Sequence, residues 1–378
     1  MTLKVFIIAG EPSGDKLGAA LLKNLQSLTS LQIEGVGGPL MQAQGLQSLF
    51  PMDELSVMGL AEILPKYRQL KARIRQTAKA ALDQKPDVLI TIDSPDFCLR
   101  VARLVKAASA IRTVHYVAPT VWAWRSGRAE KMAAHIDHVL ALFPFEPPFM
   151  QAAGMDCDFV GHPVVSEPQA TQKEADRFRA KHNIMGTMIL ALPGSRRGEV
   201  TRLSDRFGQA LRILLKEKPD ARVVVPCAAP VADLVARQTQ NWPGTPLLIG
   251  PEVTDKRAAF RAANVALAAS GTVSLELAAA QTPMVIAYDM AWLSRVIISR
   301  MLKVDTVTLV NLVSETRAVP EFIGKNCIPG DIAKALLGVL DDPTAQRAAM
   351  QATMERLGAG GEDPGLRAAK AILSGLQR

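Results

Sequence analysis

The sequence predicts an α/β protein made of two doubly wound parallel sheets, and three observations carry that prediction. Short runs rich in β-branched residues alternate with helical patterns along the chain, the rhythm of βαβ units. A length of 378 residues accommodates two domains of ordinary size, each with its own core. The rhythm breaks once, in the polar, strand-free stretch SEPQATQKEADRFRAKHN after GHP at 161–163, and then starts again.

In order along the first half, LKVFIIAG, PDVLITID, RTVHYVAP and HVLALFPF each end near Gly, Pro or a polar residue, as strands do where they hand over to helices. The polar stretch reads as a linker followed by one surface helix. The second half continues with TMILALP, ARVVVPC, PLLIG, ANVALAAS and TPMVIAY, each followed by a helical or turn-like segment. From residue 345 the chain is alanine-rich and helical, and is expected to fold back on the first domain. The expected divisions are therefore 1–165, 166–344 and a returning tail, 345–378. Ligands of such Rossmann-like sheets bind outside the carboxyl ends of the strands, so two facing domains would present their strand-to-helix loops to a central cleft.

Composition excludes several classes. With 48% hydrophobic and 21% charged residues the chain has none of the apolar poverty of disorder. Cys98, Cys157, Cys227 and Cys327 lie far apart without a CxxC pair, which suggests neither a zinc ribbon nor a disulfide framework and fits a reducing cytoplasm. The N-terminal apolar run meets Glu11 and Asp15 too soon for a signal peptide, and no run approaches the roughly 20 apolar residues that cross a bilayer, so membrane contact would be peripheral. His135 and His138 have no third ligand at useful spacing, so no metal site is expected. The formal net charge of +8 suits phosphorylated substrates, an anionic membrane surface or nucleic acid, and charge alone does not choose among them.

The loops are more selective. In LPGSRRGEV, Gly194 permits an unusual turn, Ser195 can cap, and Glu199 opens a helical pattern through Leu203 and Phe207. Free amides and the positive helix end would attract a phosphate, with Arg196 or Arg197 gripping two oxygens; a helix cap flanked by two solvated arginines is the alternative. In ASGTVSLELAAAQ, Ser270, Gly271 and Thr272 end a strand and Glu276 is a lone carboxylate among apolar neighbours. It can accept two hydrogen bonds from a ribose, with the 270–272 amides beside a diphosphate, or complete a capping box.

In the first half, AGEPSGD joins the first strand to the first helix. Its Gly10, Ser13 and Gly14 amides, with the acids Glu11 and Asp15, suit substrate hydroxyls, while helix capping by Ser13 is the plainer role. SVMGLAEILP brings together Val57, Met58, Leu60, Ile63 and Leu64 ahead of a basic pattern with Tyr67, Leu70, Ile74 and Ala81 on one face. That is a membrane-docking surface or a core helix with a basic outer face, and WLSRVIISRMLK reads the same way. Trp122 and Trp124 line an acyl or sugar pocket or pack in the core.

AGEPSGD, GVGGP, SVMGLAEIL, IDSPDF, HYVAPTVWAWRSGR, FVGHP, LPGSRRGEV and ASGTVSLELAAAQTPMV, in this order and across nearly the whole chain, resemble the lipid-A-disaccharide synthase family. The resemblance implies a GT-B architecture and an inverting glycosyltransferase. It would move 2,3-diacylglucosamine from UDP-2,3-diacylglucosamine to the 6-hydroxyl of 2,3-diacylglucosamine 1-phosphate, giving the β-1,6-linked lipid A disaccharide 1-phosphate and UDP. It further implies no metal or other cofactor, no nucleic acid partner, and a cytoplasmic protein held peripherally at an anionic inner-membrane surface, and it leaves a homodimer open.

Carried over residue by residue, the resemblance puts Ser195 and Arg196 on the diphosphate, Ser270, Gly271 and Thr272 against it, and Glu276 on the ribose. Asn311 of VTLVNLV would complete the pocket, a turn former being its other reading. Asp93, at the end of PDVLITID and flanked by apolar residues, would take the acceptor proton with a pKa raised by desolvation, or else cap a helix. Asp96 suits capping or orientation beside the acceptor. The pattern departs at Cys98, where the family commonly has asparagine; a buried structural thiol is expected there. A UDP-sugar epimerase of the same layout and a non-catalytic basic membrane-binding protein are the alternative functions.

Overall fold

The structure is a computed structural model that describes residues 2–55, 60–121, 127–289 and 305–377; of 60–66 it describes the backbone alone. The chain divides into two compact units, one of Met1–Pro163 with Gly360–Arg378 and one of Val164–Ala359.

In the first unit the described residues form a parallel sheet of β1 (Leu3–Ala9), β2 (Leu31–Val36), β3 (Gln47–Ser48), β4 (Val88–Ile92), β5 (Arg112–Tyr116), β6 (His138–Ala141) and β7 (Asp156–Phe159). Their spatial order is β3-β2-β1-β4-β5-β6-β7, which reverses direction at β1 and β4. The helices in chain order are α1 (Pro12–Leu28), α2 (Pro39–Gln42), α3 (Leu60–Gln84), α4 (Pro95–Ala108), α5 (Arg128–Ala133) and α6 (Pro147–Ala152).

The period of two in β1 explains how the sheet is covered. Val5, Ile7 and Ala9 pack on one face with Leu21 and Leu25 of α1, while Phe6 and Ile8 pack on the other with Ile74 of α3 and Val101 of α4. Each such buried aliphatic side chain stabilises the fold by about 1.5–3 kcal/mol.

The second unit repeats the plan with β8 (Met188–Leu192), β9 (Arg222–Pro226), β10 (Leu247–Ile249), β11 (Val265–Ala268), β12 (Met284–Tyr288) and β13 (Glu321–Ile323), in the order β10-β9-β8-β11-β12-β13. Its helices are α7 (Gln172–Lys181), α8 (Arg197–Glu217), α9 (Ala232–Thr239), α10 (Val253–Ala262), α11 (Val273–Ala279), α12 (Leu309–Ser314), α13 (Pro329–Asp341) and α14 (Thr344–Arg356). The surface helix expected in the polar stretch is α7, opened by a capping box in which Thr171 and Glu174 satisfy each other's backbone amides. Both units have the reversing strand order of doubly wound sheets, whose ligands bind at the carboxyl edge.

The tail differs from expectation. Helix α14 stays with the second unit: Gln346 clamps the backbone of Met284 with two hydrogen bonds of 2.8 and 2.9 Å, and Thr353 donates to the carbonyl of Val310. Only α15 (Pro364–Leu376) returns to the first unit, where it packs on α1. Arg367 there donates to the carbonyl of Phe159 at 2.6 Å, and Asn24 donates to Asp363 at 3.2 Å. The return therefore begins near Gly360, fifteen residues later than the alanine content alone suggests.

Candidate functional site

In the first unit the site is built on the turn after β4. Asp93 and Ser94 both adopt left-handed backbone, with φ of 49° and 43°, and Val117, just past the neighbouring β5, has φ of 84°. Non-glycine residues pay of order 1–3 kcal/mol each for such conformations and keep them where the surroundings over-determine the turn. Here the Asp93 amide donates to the carbonyl of Tyr116 at 3.0 Å and that of Val117 to Leu140 at 3.0 Å. The turn thus leaves the Asp93 side chain half-buried at the carboxyl edge of the sheet.

The loop after β1 abuts this turn. A Cβ on Gly10 would come within 2.7 Å of the Ser94 hydroxyl, so only glycine lets the two loops approach. Cys98 reports the charge nearby: burial pushes its thiol far above the ordinary range, a hydrogen bond with the Ile92 backbone opposes this, and the carboxylates of Asp93 and Glu11 push it further up. It is the buried, inert thiol expected at that position.

The five other expected contacts of this unit separate. Glu11 precedes α1 in extended conformation and makes no side-chain cap, and Ser13 is exposed in the first turn of α1. Gly14 is buried; a Cβ on it would meet Ala9 at 3.3 Å and Ile92 at 3.5 Å, so it is a packing glycine. Asp15 is corrected outright. It is 3% exposed, and its carboxylate accepts the backbone N–H groups of Gly38, Leu40 and Met41 at 2.9–3.0 Å. Those three bonds hold the GVGGP loop at the start of α2 and leave Asp15 no approach to a substrate. Asp96 is exposed in the first turn of α4, where its charge complements the helix dipole.

In the second unit, Gly194 follows β8 with φ of 124° and Arg196 precedes α8. The amides expected to be free for a phosphate are not free. Glu199 turns back and accepts the N–H groups of Ser195 and Arg196 at 3.1 and 3.2 Å, closing the loop on its own carboxylate. A Cβ at 194 would strike the Glu199 side chain at 2.5 Å, so glycine is obligatory there. What the loop presents outward is the Ser195 hydroxyl and the Arg196 guanidinium, the latter 70% exposed and only 3.9 Å from Glu199 at closest.

At the second loop, Gly271 (φ 139°) and Thr272 are exposed and Ser270 is half-buried. Thr272 makes no side-chain cap, and Glu276 belongs to no capping box: its carboxylate pairs with Lys256 of α10. Asn311 is a second correction. It is fully buried in α12, its amide oxygen accepts the N–H of Val319 at 3.0 Å, and its amide nitrogen donates to the Val319 carbonyl at 2.9 Å. Spent on that backbone, it is a structural clamp and not part of a nucleotide pocket.

Several residues at these loops escape a sequence reading. Tyr288, at the carboxyl end of β12, lies in the field of Glu199, Arg196 and Arg202; burial and then Glu199 push its hydroxyl up while the arginines pull it down. Nothing in the local sequence brings residue 288 to residue 196. Glu199 has a signal, the four-residue spacing from Ser195, whereas Lys256 has none. A further triplet, Asp156-Cys157-Asp158, has the DxD form used elsewhere to hold metal–diphosphate, but in β7 its aspartates bind Arg112 at 2.7 Å and His138 at 2.8 Å. Val57 and Met58, Trp122 and Trp124, and WLSRVIISRMLK from 292 lie outside the described residues, as do the side chains of Leu60, Ile63 and Leu64.

A family model described as lipid-A-disaccharide synthetase matches residues 5–371. The chain is 62% identical to the lipid-A-disaccharide synthase of Ruegeria pomeroyi over 383 aligned residues, covering 99% of this chain and 96% of that one. It is 48% identical to the synthase of Rhodospirillum centenum, covering 98% and 94%. Among solved structures it is similar to a UDP-GlcNAc 2-epimerase from Neisseria meningitidis bound to UDP-GlcNAc, with a TM-score of 0.62 at 14% identity, covering 100% and 99%. It is also similar to MurG of Acinetobacter baumannii, with a TM-score of 0.58 at 15% identity, covering 99% and 100%. At such identities the two structural likenesses speak to fold alone.

Proposed function

We propose how these residues divide the work of one reaction, from the premise that the chain belongs to the lipid-A-disaccharide synthase family. The chain is a hexosyltransferase. It transfers 2,3-diacylglucosamine from UDP to the 6-hydroxyl of 2,3-diacylglucosamine 1-phosphate, forming a β-1,6 linkage with inversion and releasing UDP.

In this reading the second unit holds the donor. Arg196 and the Ser195 hydroxyl take the diphosphate, Ser270, Gly271 and Thr272 lie along it, and Glu276 accepts the ribose hydroxyls. The first unit handles the acceptor: Asp93 takes the proton of the 6-hydroxyl as that oxygen attacks C1. The new O6–C1 bond forms on the face opposite UDP while the bond from C1 to the β-phosphate oxygen breaks, which inverts the carbon. The electron pair leaves with UDP, and the Arg196 guanidinium offers fixed positive charge against it, the role a metal ion plays in other transferases. Glu11, Ser13 and Asp96 are the contacts proposed for the acceptor sugar.

The observation that carries the reading is the left-handed pair at Asp93 and Ser94, because strain kept in non-glycine residues at a strand's carboxyl edge serves the placement of a side chain. Incubation with the two substrates and mass spectrometry of the product tests it. A disaccharide 1-phosphate is expected, with UDP release that depends on added acceptor. UDP release without acceptor, or a new UDP-sugar epimer, defeats the reading in favour of the epimerase.

The acylated substrates also call for a membrane. Among the described residues no helix is long and apolar enough to cross one. We propose peripheral docking at the cytoplasmic face through 57–64 and the basic α3, supported by the net charge of +8. In vesicle sedimentation with anionic lipid, a Met58→Asp, Ile63→Asp variant is expected to stay in the supernatant; pelleting like the parent removes the patch.

A further inference from the structure

The donor half of the site contains a cation that the reaction scheme has not used. Lys256, in the first turn of α10, places its ammonium on Oε2 of Glu276 in α11. The two residues are 20 positions apart, on helices that follow β10 and β11, so both stand at the carboxyl edge of the sheet where ligands of this fold bind. The ammonium is held from a second side as well. It lies 5.1 Å from the centroid of the Phe260 ring, one turn further along the same helix, and Phe260 is 3% exposed and fixed in the core. The lysine and glutamate side chains are themselves 39% and 37% exposed, so the pair is rigidly supported beneath and open to a ligand above.

An ionised carboxylate has about four lone-pair positions. The ammonium takes one on Oε2, which leaves Oε1 and the other lone pair of Oε2 for donors from solution. A glutamate without such a partner samples several rotamers; this one is held by the ammonium while its side chain stays partly exposed. A pair of adjacent hydroxyls is the ligand chemistry that two neighbouring acceptors of one fixed carboxylate match.

We propose that Lys256 is a positioning residue for the nucleoside end of the donor: it fixes the Glu276 carboxylate so that both ribose hydroxyls are recognised together. This rests on the assignment of Glu276 to the ribose. Exposed ion pairs add little to stability, so a purely structural role predicts that removing the lysine changes almost nothing, whereas a positioning role moves nucleotide recognition.

The test is calorimetric titration of the full chain with UDP and with 2′-deoxy-UDP, alongside thermal melts. Lys256→Met is expected to weaken UDP binding about 5- to 10-fold, the effect of one lost orienting hydrogen bond, and to shrink the preference for UDP over the deoxy analogue, with an unchanged Tm. Lys256→Arg restores binding in part. Adding Lys256→Met to Glu276→Gln produces no further loss, because the lysine acts through the glutamate. Parental UDP affinity in Lys256→Met beside weakened binding in Glu276→Gln overturns the lysine's role and leaves the ribose assignment standing. An equal loss for UDP and 2′-deoxy-UDP in Lys256→Met also overturns it. Parental affinity in Glu276→Gln overturns the ribose assignment itself, and the lysine's role with it.

Discussion

Two strand-to-helix turns, one in each unit, solve the same geometric problem in opposite ways. After β8 the chain bends at Gly194, which accepts a φ of 124° without a Cβ, and Glu199 ties the following amides together. After β4 it bends at Asp93 and Ser94, which carry side chains through left-handed conformations. The first turn is relaxed, and the groups proposed for the diphosphate, Ser195 and Arg196, stand one and two residues beyond the bend. The second is strained, and the carboxylate proposed as the base stands on the bend itself. A glycine there would remove the strain together with the carboxylate, so the proposed role of Asp93 accounts for the unfavourable backbone being kept.

The comparison breaks most visibly at Asp93. Asp93→Asn preserves the shape of the turn and removes the proposed base, so turnover is expected to fall by about 10² to 10⁴ while UDP affinity by calorimetry stays at the parental value. Parental turnover would detach the strained turn from catalysis. Next in size, Arg196→Ala leaves the relaxed turn intact and is expected to weaken UDP binding about 10- to 100-fold, the loss of a charge-assisted contact. Unchanged affinity would contradict the proposed diphosphate cradle at the PGSRR loop.

Two smaller substitutions sharpen the contrast through stability, and they carry opposite signs. Gly194→Ala forces a Cβ into a φ of 124° and into the Glu199 side chain, and is expected to destabilise the protein by about 1–2 kcal/mol in urea unfolding. Ser94→Gly relieves a left-handed residue and is expected to stabilise it by up to about 1 kcal/mol while lowering turnover. The same sign for both would show that the two turns are not strained differently.

The strands buried on both faces are legible in the sequence. β1, β4, β5, β6, β8, β9, β11 and β12 all coincide with β-branched runs, because a parallel strand covered by helices above and below must be apolar throughout, whereas β10 is an edge strand legible only as the short apolar run PLLIG. β2, β3, β7 and β13 are not: LQIEGV and DCDF carry charged residues, and QS and EFI are too short for a pattern. They stand at or next to the sheet edges, where burial is incomplete and the sequence is correspondingly mixed. The positions of Asp93, the PGSRR loop and the SGT loop at strand ends are legible for a related reason. Local motifs fix which strand ends where, and ligands of this fold gather at those ends.

What the sequence determined by itself was the pair of doubly wound sheets, the family, and the loops that follow the strands, since periodicity, glycine placement and ordered motifs are properties of neighbouring residues. What only the tertiary structure decided was how individual polar side chains are spent. Asp15 faces the amides of 38–41, Asn311 clamps Val319, Glu199 fills the amides beside Arg196, and Lys256 meets Glu276. A carboxylate or amide reads the same in a sequence whether it waits for a ligand or closes on a backbone. The difference lies in which donor reaches it first, and that is settled by contacts between segments far apart along the chain, such as α14 with β12.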